Sequence, residues 1–167
     1  MTGKGLRAAA TRVLELSRAH RLQIATAESC TGGLVAAALT DIAGSSDVVD
    51  RGFITYSNEA KRQMLGVPTA TLKRYGAVSA QTAAAMAKGA LKNSQADLAV
   101  AITGIAGPGG GSEEKPVGLV HFAAADRAGR RLARMRRYGD IGRRQVRERS
   151  VAEALRLLQL LAGKNRH

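Results

Sequence analysis

Residues 98–102 read LAVAI, and that run restricts the fold more than any other stretch of the chain. Five successive apolar residues offer no polar face to water, so a strand made of them needs cover on both sides. The flanking sequence carries helices that can provide it. Residues 6–20 read as an amphipathic helix with Leu6, Ala9, Val13 and Leu16 on one face. Residues 23–26 read as a short strand, and 34–40 as a helix that starts straight after Gly32-Gly33. Residues 41–50 are a turn-rich link containing Gly44, and 52–56 alternate towards strand. Asn58 is the expected cap of a helix that ends at Gly66, with Pro68 just beyond it. A short helix is expected over 69–75, then a long Ala-rich one, capped by Ser79, to about Lys92. After the apolar strand and a glycine-rich loop, residues 119–125 and 131–138 read as a hairpin turning at 126–129. A last amphipathic helix covers 141–161, with Val146, Val151, Leu155 and Leu158 facing inward. Strands that alternate with helices and end in a hairpin predict an α/β fold, a three-layer α/β/α sandwich with a mixed β-sheet.

The chain of 167 residues fits one domain, expected over 1–167, with no internal repeat and no linker to split it. Hydrophobic residues make up 45%, much of it Ala, and only three Tyr and two Phe are present. The core is therefore aliphatic, with small residues where elements approach closely. No apolar run reaches the ~18 residues that a membrane span needs, and the N-terminus lacks a continuous signal-peptide core. Cys30 is the single cysteine, which excludes an internal disulfide and fits a reducing compartment. A cytoplasmic protein with no membrane contact is expected. The Ala- and Gly-rich helices allow close subunit packing, so a homo-oligomer is expected too.

The formal charge is +13, and nine arginines crowd residues 130–149. A nucleic-acid arm is a basic patch aimed at phosphates, often with aromatics for stacking. Only Tyr138 is aromatic in that stretch. The charge therefore reads as a solvated basic face or a site for a small anion, and nucleic acid is not the expected partner.

Two segments read as chemistry. The first is Glu28-Ser29-Cys30-Thr31-Gly32-Gly33, where a strand ends and a glycine pair opens a helix. Free N–H groups at such a helix start hold an anion or an oxyanion. Ser29 sits where the backbone would place a nucleophile, although position alone favours a plain N-cap. Cys30 is a rival nucleophile, though a small buried thiol is the commoner role. A nucleophilic serine needs a base. His20 ends a helix, His121 lies in a strand and His167 is the last residue, so lysine is the next type to weigh. Lys61 falls in the first turn of the helix after Asn58, where the helix dipole disfavours positive charge. Desolvated there it would have a lowered pKa and act as a neutral base; otherwise it is a surface lysine. The second segment, residues 103–112, is a glycine-rich loop after the most apolar strand, the end of the sheet where ligands gather. It matches neither the P-loop nor the dinucleotide fingerprint.

Four blocks together resemble the CinA C-terminal domain family: AESCTGG at 27–33, RGFITYSNEAK at 51–61, GAVS at 76–79 and TGIAGPGGGSEEKPVG at 103–118. They run in the family's order and spacing over nearly the whole chain. The family's enzymatic members are nicotinamide-nucleotide amidases. The resemblance implies hydrolysis of nicotinamide mononucleotide to nicotinate mononucleotide and ammonia, a step of pyridine nucleotide salvage, by a Ser/Lys mechanism with no metal and no cofactor. It implies Ser29 as nucleophile, Lys61 as base and Tyr56 as a residue assisting proton transfer. It implies that Thr103 and Gly104 border the amide. Glu28, Asn58 and the turn Cys30, Thr31, Gly32 and Gly33 would meet the substrate, the N–H groups of the turn facing the oxyanion or the nucleotide. A phosphate contact is implied near Gly139-Asp140. The family usually follows Gly-Asp with Arg, whereas Ile141 and Gly142 intervene here, which leaves Arg143 or Arg147 for the role. Some members carry a further N-terminal domain with pyrophosphatase activity. This chain begins with the amidase-like helix, so that second activity is not expected. A catalytically silent nucleotide-binding module and a competence-related nucleic-acid accessory protein remain the alternatives.

Overall fold

The computed structural model describes residues 3–163. Helix α1 (Gly3–Ala19) leads into strand β1 (Ile24–Glu28) and helix α2 (Leu34–Thr40). A short 3-10 turn (Ser45–Asp47) precedes β2 (Val49–Ile54). Three helices follow, α3 (Asn58–Leu65), α4 (Thr69–Tyr75) and α5 (Ala80–Lys92). The chain then forms β3 (Leu98–Gly104), β4 (Leu119–Asp126), β5 (Arg131–Arg137) and the long α6 (Arg143–Gly163). The strand order is β2-β1-β3-β4-β5. The first three run parallel, and β4 and β5 complete the sheet antiparallel. Among the described residues no helix is long and apolar enough to cross a membrane.

The LAVAI strand explains the layering. Leu98, Val100 and Ile102 point to one face, into a core shared with Val13 and Leu14 of α1, Val35 and Leu39 of α2, and Leu155, Leu158 and Leu161 of α6. Ala99 and Ala101 point to the other, joined by Ala25, Ala27, Ala123 and Ala125 of the neighbouring strands, against Ala83, Met86, Ala87 and Ala90 of α5. Large side chains thus fill one interlayer space, and an alanine surface lets α5 lie close on the other. Each fully buried leucine of α6 contributes about 2 kcal/mol by removal from water. The expected mixed-sheet α/β architecture, with helices on both faces, is the one found.

The boundaries shift in four informative places. Strand β1 runs on to Glu28 because it pairs on both sides, Glu28 lying opposite Ile54 and Ile102. Strand β2 begins at Val49, so part of the expected link is sheet. The cap of α3 is Ser57, whose Oγ accepts from the Ala60 N–H at 3.0 Å, and Asn58 is the first helical residue. Helix α6 starts at Arg143 because Gly142 has a φ of 94°, outside the helical region.

Helix α3 rests on α5 at a very close crossing. A Cβ built on Gly89 would lie 2.0 Å from the Leu65 carbonyl oxygen and 2.8 Å from its carbon. Alanine in place of glycine in a helix normally stabilises by about 1 kcal/mol. Here the backbones must part, and overpacking of that kind costs about 1–3 kcal/mol. Gly89→Ala is therefore expected to lower the melting temperature by several degrees, measured by circular dichroism. An unchanged or higher value would mean that the crossing is loose.

Candidate active site

The parallel strands β1, β2 and β3 end at one edge of the sheet, and chain connections diverge between β1 and β3. The link after β1 goes through α2 to β2, and the link after β3 goes to β4 on the opposite side. Open α/β sheets bind ligands at such divergences, outside the carboxyl ends of the strands. A cavity of about 270 Å³ lies there. It is lined by Ser29 and Cys30 after β1, Tyr56 and Lys61 beyond β2, Thr103 and Gly104 at the end of β3, and the glycine-rich loop that follows.

Ser29 follows the last residue of β1, and its N–H donates to the Ile102 carbonyl at 3.0 Å, which continues the ladder to β3. Only 8% of the residue is exposed. It is not a helix cap: the cap position of α2 is Gly33, with a φ of 104°. Gly32 before it has a φ of 59°, so both glycines hold left-handed backbone that lets the chain turn sharply from strand to helix. Lys61 is not a surface lysine. It is 1% exposed, among the largest fully buried side chains of the described residues. Its Nζ lies 3.0 Å from Ser29 Oγ and donates to the Thr55 carbonyl at 2.9 Å. Burial lowers its pKa from the ordinary 10.5, opposed only by the neighbouring Cys30. The Cys30 thiol is pushed up to about 12, chiefly by burial. It is therefore a neutral thiol at physiological pH, and poor as a nucleophile.

Two other side chains complete the cavity. Thr103 donates from Oγ1 to the Ala77 carbonyl at 2.8 Å, which ties the end of β3 to residues 76–79 and brings Ala77 and Val78 into the lining. Tyr56, 60% exposed, stands at the mouth. Its hydroxyl accepts from Arg143 Nη2 at 2.7 Å, while Arg143 Nη1 donates to the Gly107 carbonyl at 2.9 Å. Of the two arginines expected near a phosphate, Arg143 is the one on the cavity.

Six residues expected at the substrate are placed elsewhere. Glu28 is fully buried. Its carboxylate accepts from Val35 N–H at 2.9 Å, Ala36 N–H at 3.1 Å, Thr31 Oγ1 at 2.7 Å and Thr26 Oγ1 at 3.3 Å. It is the cap that α2 lacks at its own N-terminus, satisfying two first-turn donors and complementing the dipole. Thr31 is buried with it. Gly32 and Gly33 shape the turn without lining the cavity, and the Gly32 N–H is committed to the Ser29 carbonyl at 3.0 Å. Asn58, displaced from the cap position by Ser57, is exposed on α3. Arg147 lies behind the turn, where its Nε donates to the Cys30 carbonyl at 3.1 Å and its Nη2 to the Thr31 carbonyl at 3.2 Å. His20 and His121 do not line the cavity, and His167 lies outside the described residues.

The family model of the CinA C-terminal domain matches residues 6–162. The nicotinamide-nucleotide amidohydrolase PncC of Escherichia coli K12 is 52% identical over 159 residues, 95% of each chain. A CinA-like protein of Geobacter sulfurreducens is 59% identical over 119 residues, 71% of this chain and 29% of that one. The chain thus spans about a third of the longer curated relatives it matches. The crystal structure of the competence/damage inducible protein CihA from Agrobacterium tumefaciens superposes with a TM-score of 0.93 at 57% identity, covering 96% of both chains. Sequence blocks, sheet order and family model coincide over nearly all of the chain, which belongs to the CinA C-terminal domain family.

Proposed function

We propose that this chain is a nicotinamide-nucleotide amidohydrolase that cleaves nicotinamide mononucleotide to nicotinate mononucleotide and ammonia, as a step of pyridine nucleotide salvage. The observation that carries the proposal is the buried contact of 3.0 Å between Lys61 Nζ and Ser29 Oγ. A lysine held in the folded interior without a carboxylate in contact favours its neutral form, and a neutral amine accepts the proton of a hydroxyl at that distance. The likeness to the E. coli amidohydrolase over 95% of both chains supports the choice of substrate.

Lys61 takes the Ser29 proton as Oγ attacks the carboxamide carbon. The Cys30 N–H, one residue past the nucleophile, is assigned to the oxyanion; a donor of that kind contributes roughly 3 kcal/mol to hydrolysis. The Lys61 ammonium returns the proton to the amide nitrogen, the C–N bond breaks and ammonia leaves. Water, deprotonated by Lys61, then attacks the nicotinoyl ester. The ester C–O bond breaks, and the proton returns to Ser29. Thr103 and Gly104 border the amide. At the mouth, Arg143 supplies positive charge for the substrate phosphate, and Tyr56, whose hydroxyl accepts from Arg143, lines the same cavity as the nucleophile and assists proton transfer.

The test is ammonia release from nicotinamide mononucleotide, the riboside and free nicotinamide. The mononucleotide is expected to give the highest kcat/KM, by about tenfold or more over the riboside, the worth of one charge-assisted contact. Ammonia from none of the three amides would overturn the assignment and leave the silent nucleotide-binding reading.

A further inference from the structure

The geometry points to Arg147 as a positioning residue of the nucleophile turn: its guanidinium bridges two consecutive carbonyls of the segment that follows Ser29 and fixes that serine against Lys61. The inference rests on the function proposed above and concerns the same site.

The turn has a structural problem. Between the end of β1 and the start of α2 the chain passes through two left-handed glycines. Among the described residues the loop hydrogen bonds give the Thr31 carbonyl one backbone donor, the Leu34 N–H at 3.1 Å, and the Cys30 carbonyl none. Arg147 answers this from α6, a distant part of the chain. Nε and Nη2 form the two prongs of a planar fork, at 3.1 and 3.2 Å from the two oxygens. Only arginine presents two donors at a fixed spacing in this way.

The second prong has a further consequence. The Thr31 carbonyl belongs to the same peptide unit as the Gly32 N–H, and that N–H donates to the Ser29 carbonyl at 3.0 Å. A cation on the oxygen end of a peptide polarises its N–H end, so the guanidinium strengthens the bond that holds Ser29. Glu28 binds the same segment through Thr31 Oγ1 and the Val35 and Ala36 N–H groups. Carboxylate and guanidinium thus grip the turn by its donors and its acceptors respectively.

The placement on α6 supports the same reading. Its first turn carries no acidic residue, although a helix N-terminus favours negative charge. Arg143 and Arg147 lie four residues apart, on one face. Arg143 reaches the cavity, and Arg147 reaches the back of the turn, where it does not line the cavity. The two arginines then divide the work, with Arg143 facing substrate and Arg147 facing backbone.

Arg147→Met keeps the stem and removes the fork; Arg147→Lys keeps the charge with a single donor centre. Steady-state kinetics on nicotinamide mononucleotide and its riboside, labelling of Ser29 by a fluorophosphonate, and melting temperature are measured for each. For Arg147→Met, kcat is expected to fall about 10²-fold, as expected of a nucleophile misplaced by about 1 Å. KM should change less than about threefold, the preference for the mononucleotide over the riboside should hold, and Ser29 labelling should slow in parallel. Arg147→Lys should recover part of kcat, and decides the matter if Arg147→Met does not fold. A tenfold rise in KM with kcat retained and the preference for the phosphate lost would overturn the proposal and make Arg147 a phosphate contact. Unchanged kcat and labelling in both variants would overturn it as well. Absence of ammonia release by the wild type refutes the substrate assignment alone, since labelling of Ser29 still reads the effect of Arg147. A wild type that neither labels nor hydrolyses refutes both.

Discussion

Ser29→Ala should abolish ammonia release from nicotinamide mononucleotide, lowering kcat by about 10³-fold or more, while the fold persists. Loss of a nucleophile removes the covalent route altogether, and what survives is binding and oxyanion stabilisation. The structural cost is small. The hydroxyl makes one side-chain contact, to Lys61 Nζ, and the backbone of Ser29 is held independently by Ile102 and Gly32. Loss of one hydrogen bond costs about 1 kcal/mol, or about 2–4 °C in a chain of this size. The control is the neighbour. Cys30→Ala should keep activity within about tenfold, because burial raises the thiol to about 12 and leaves almost no thiolate at neutral pH. Titrated ammonia release and intact-mass trapping of the acyl enzyme check both variants. Activity retained by Ser29→Ala and lost by Cys30→Ala would transfer the nucleophile to the sulfur.

The parts of this site that were legible in the sequence are those with a local signature. The LAVAI run declared a strand buried on both faces, and its alternation of large and small residues is what sorts the two cores. The glycine pair after Ser29 declared a sharp strand-to-helix turn, and the odd placement of Lys61 in a first helical turn singled it out among the lysines. That these two meet was legible only through the family blocks, because Lys61 lies 32 positions after Ser29, beyond a helix and an edge strand. Other features had no local signature at all. Glu28 looks like a strand residue beside a nucleophile, and nothing nearby tells that its carboxylate will cap a helix seven residues on. Arg147 is 117 residues from Cys30 and belongs to a run of arginines that reads as a solvated face. Composition set the charge of that run; packing decided that Arg143 reaches the cavity and Arg147 the turn behind it. Ser57 and Asn58 are both good capping residues, and the extended backbone at Ser57, with a ψ of 162°, settled which one caps.

Lys61→Met should be inactive and yet fold nearly as well as the wild type. A lysine 1% exposed in an aliphatic setting holds its amine against desolvation, which is why its pKa falls below 10.5. Methionine fills much of the same volume without that penalty. It also leaves the Thr55 carbonyl without the amine, at a cost of about 1–3 kcal/mol. The two effects oppose each other, so the melting temperature at pH 7 should stay within about 4 °C of wild type. The pH dependence separates them. In the wild type the folded state binds fewer protons at Lys61 than the unfolded state, between the lowered pKa and 10.5. Stability therefore rises with pH across that window, and Lys61→Met should lack this rise. The wild-type rate moves with the same group. Only the neutral amine accepts the Ser29 proton, so kcat/KM should climb as pH increases and level off, with an apparent pKa below 10.5. Lys61→Arg should also be inactive, since a guanidinium stays charged and has no lone pair to offer. A rate that is flat from pH 5 to 9, or an active Lys61→Arg variant, would remove Lys61 as the base. A flat rate combined with an inactive Lys61→Met would instead make its role that of holding Ser29 Oγ in place.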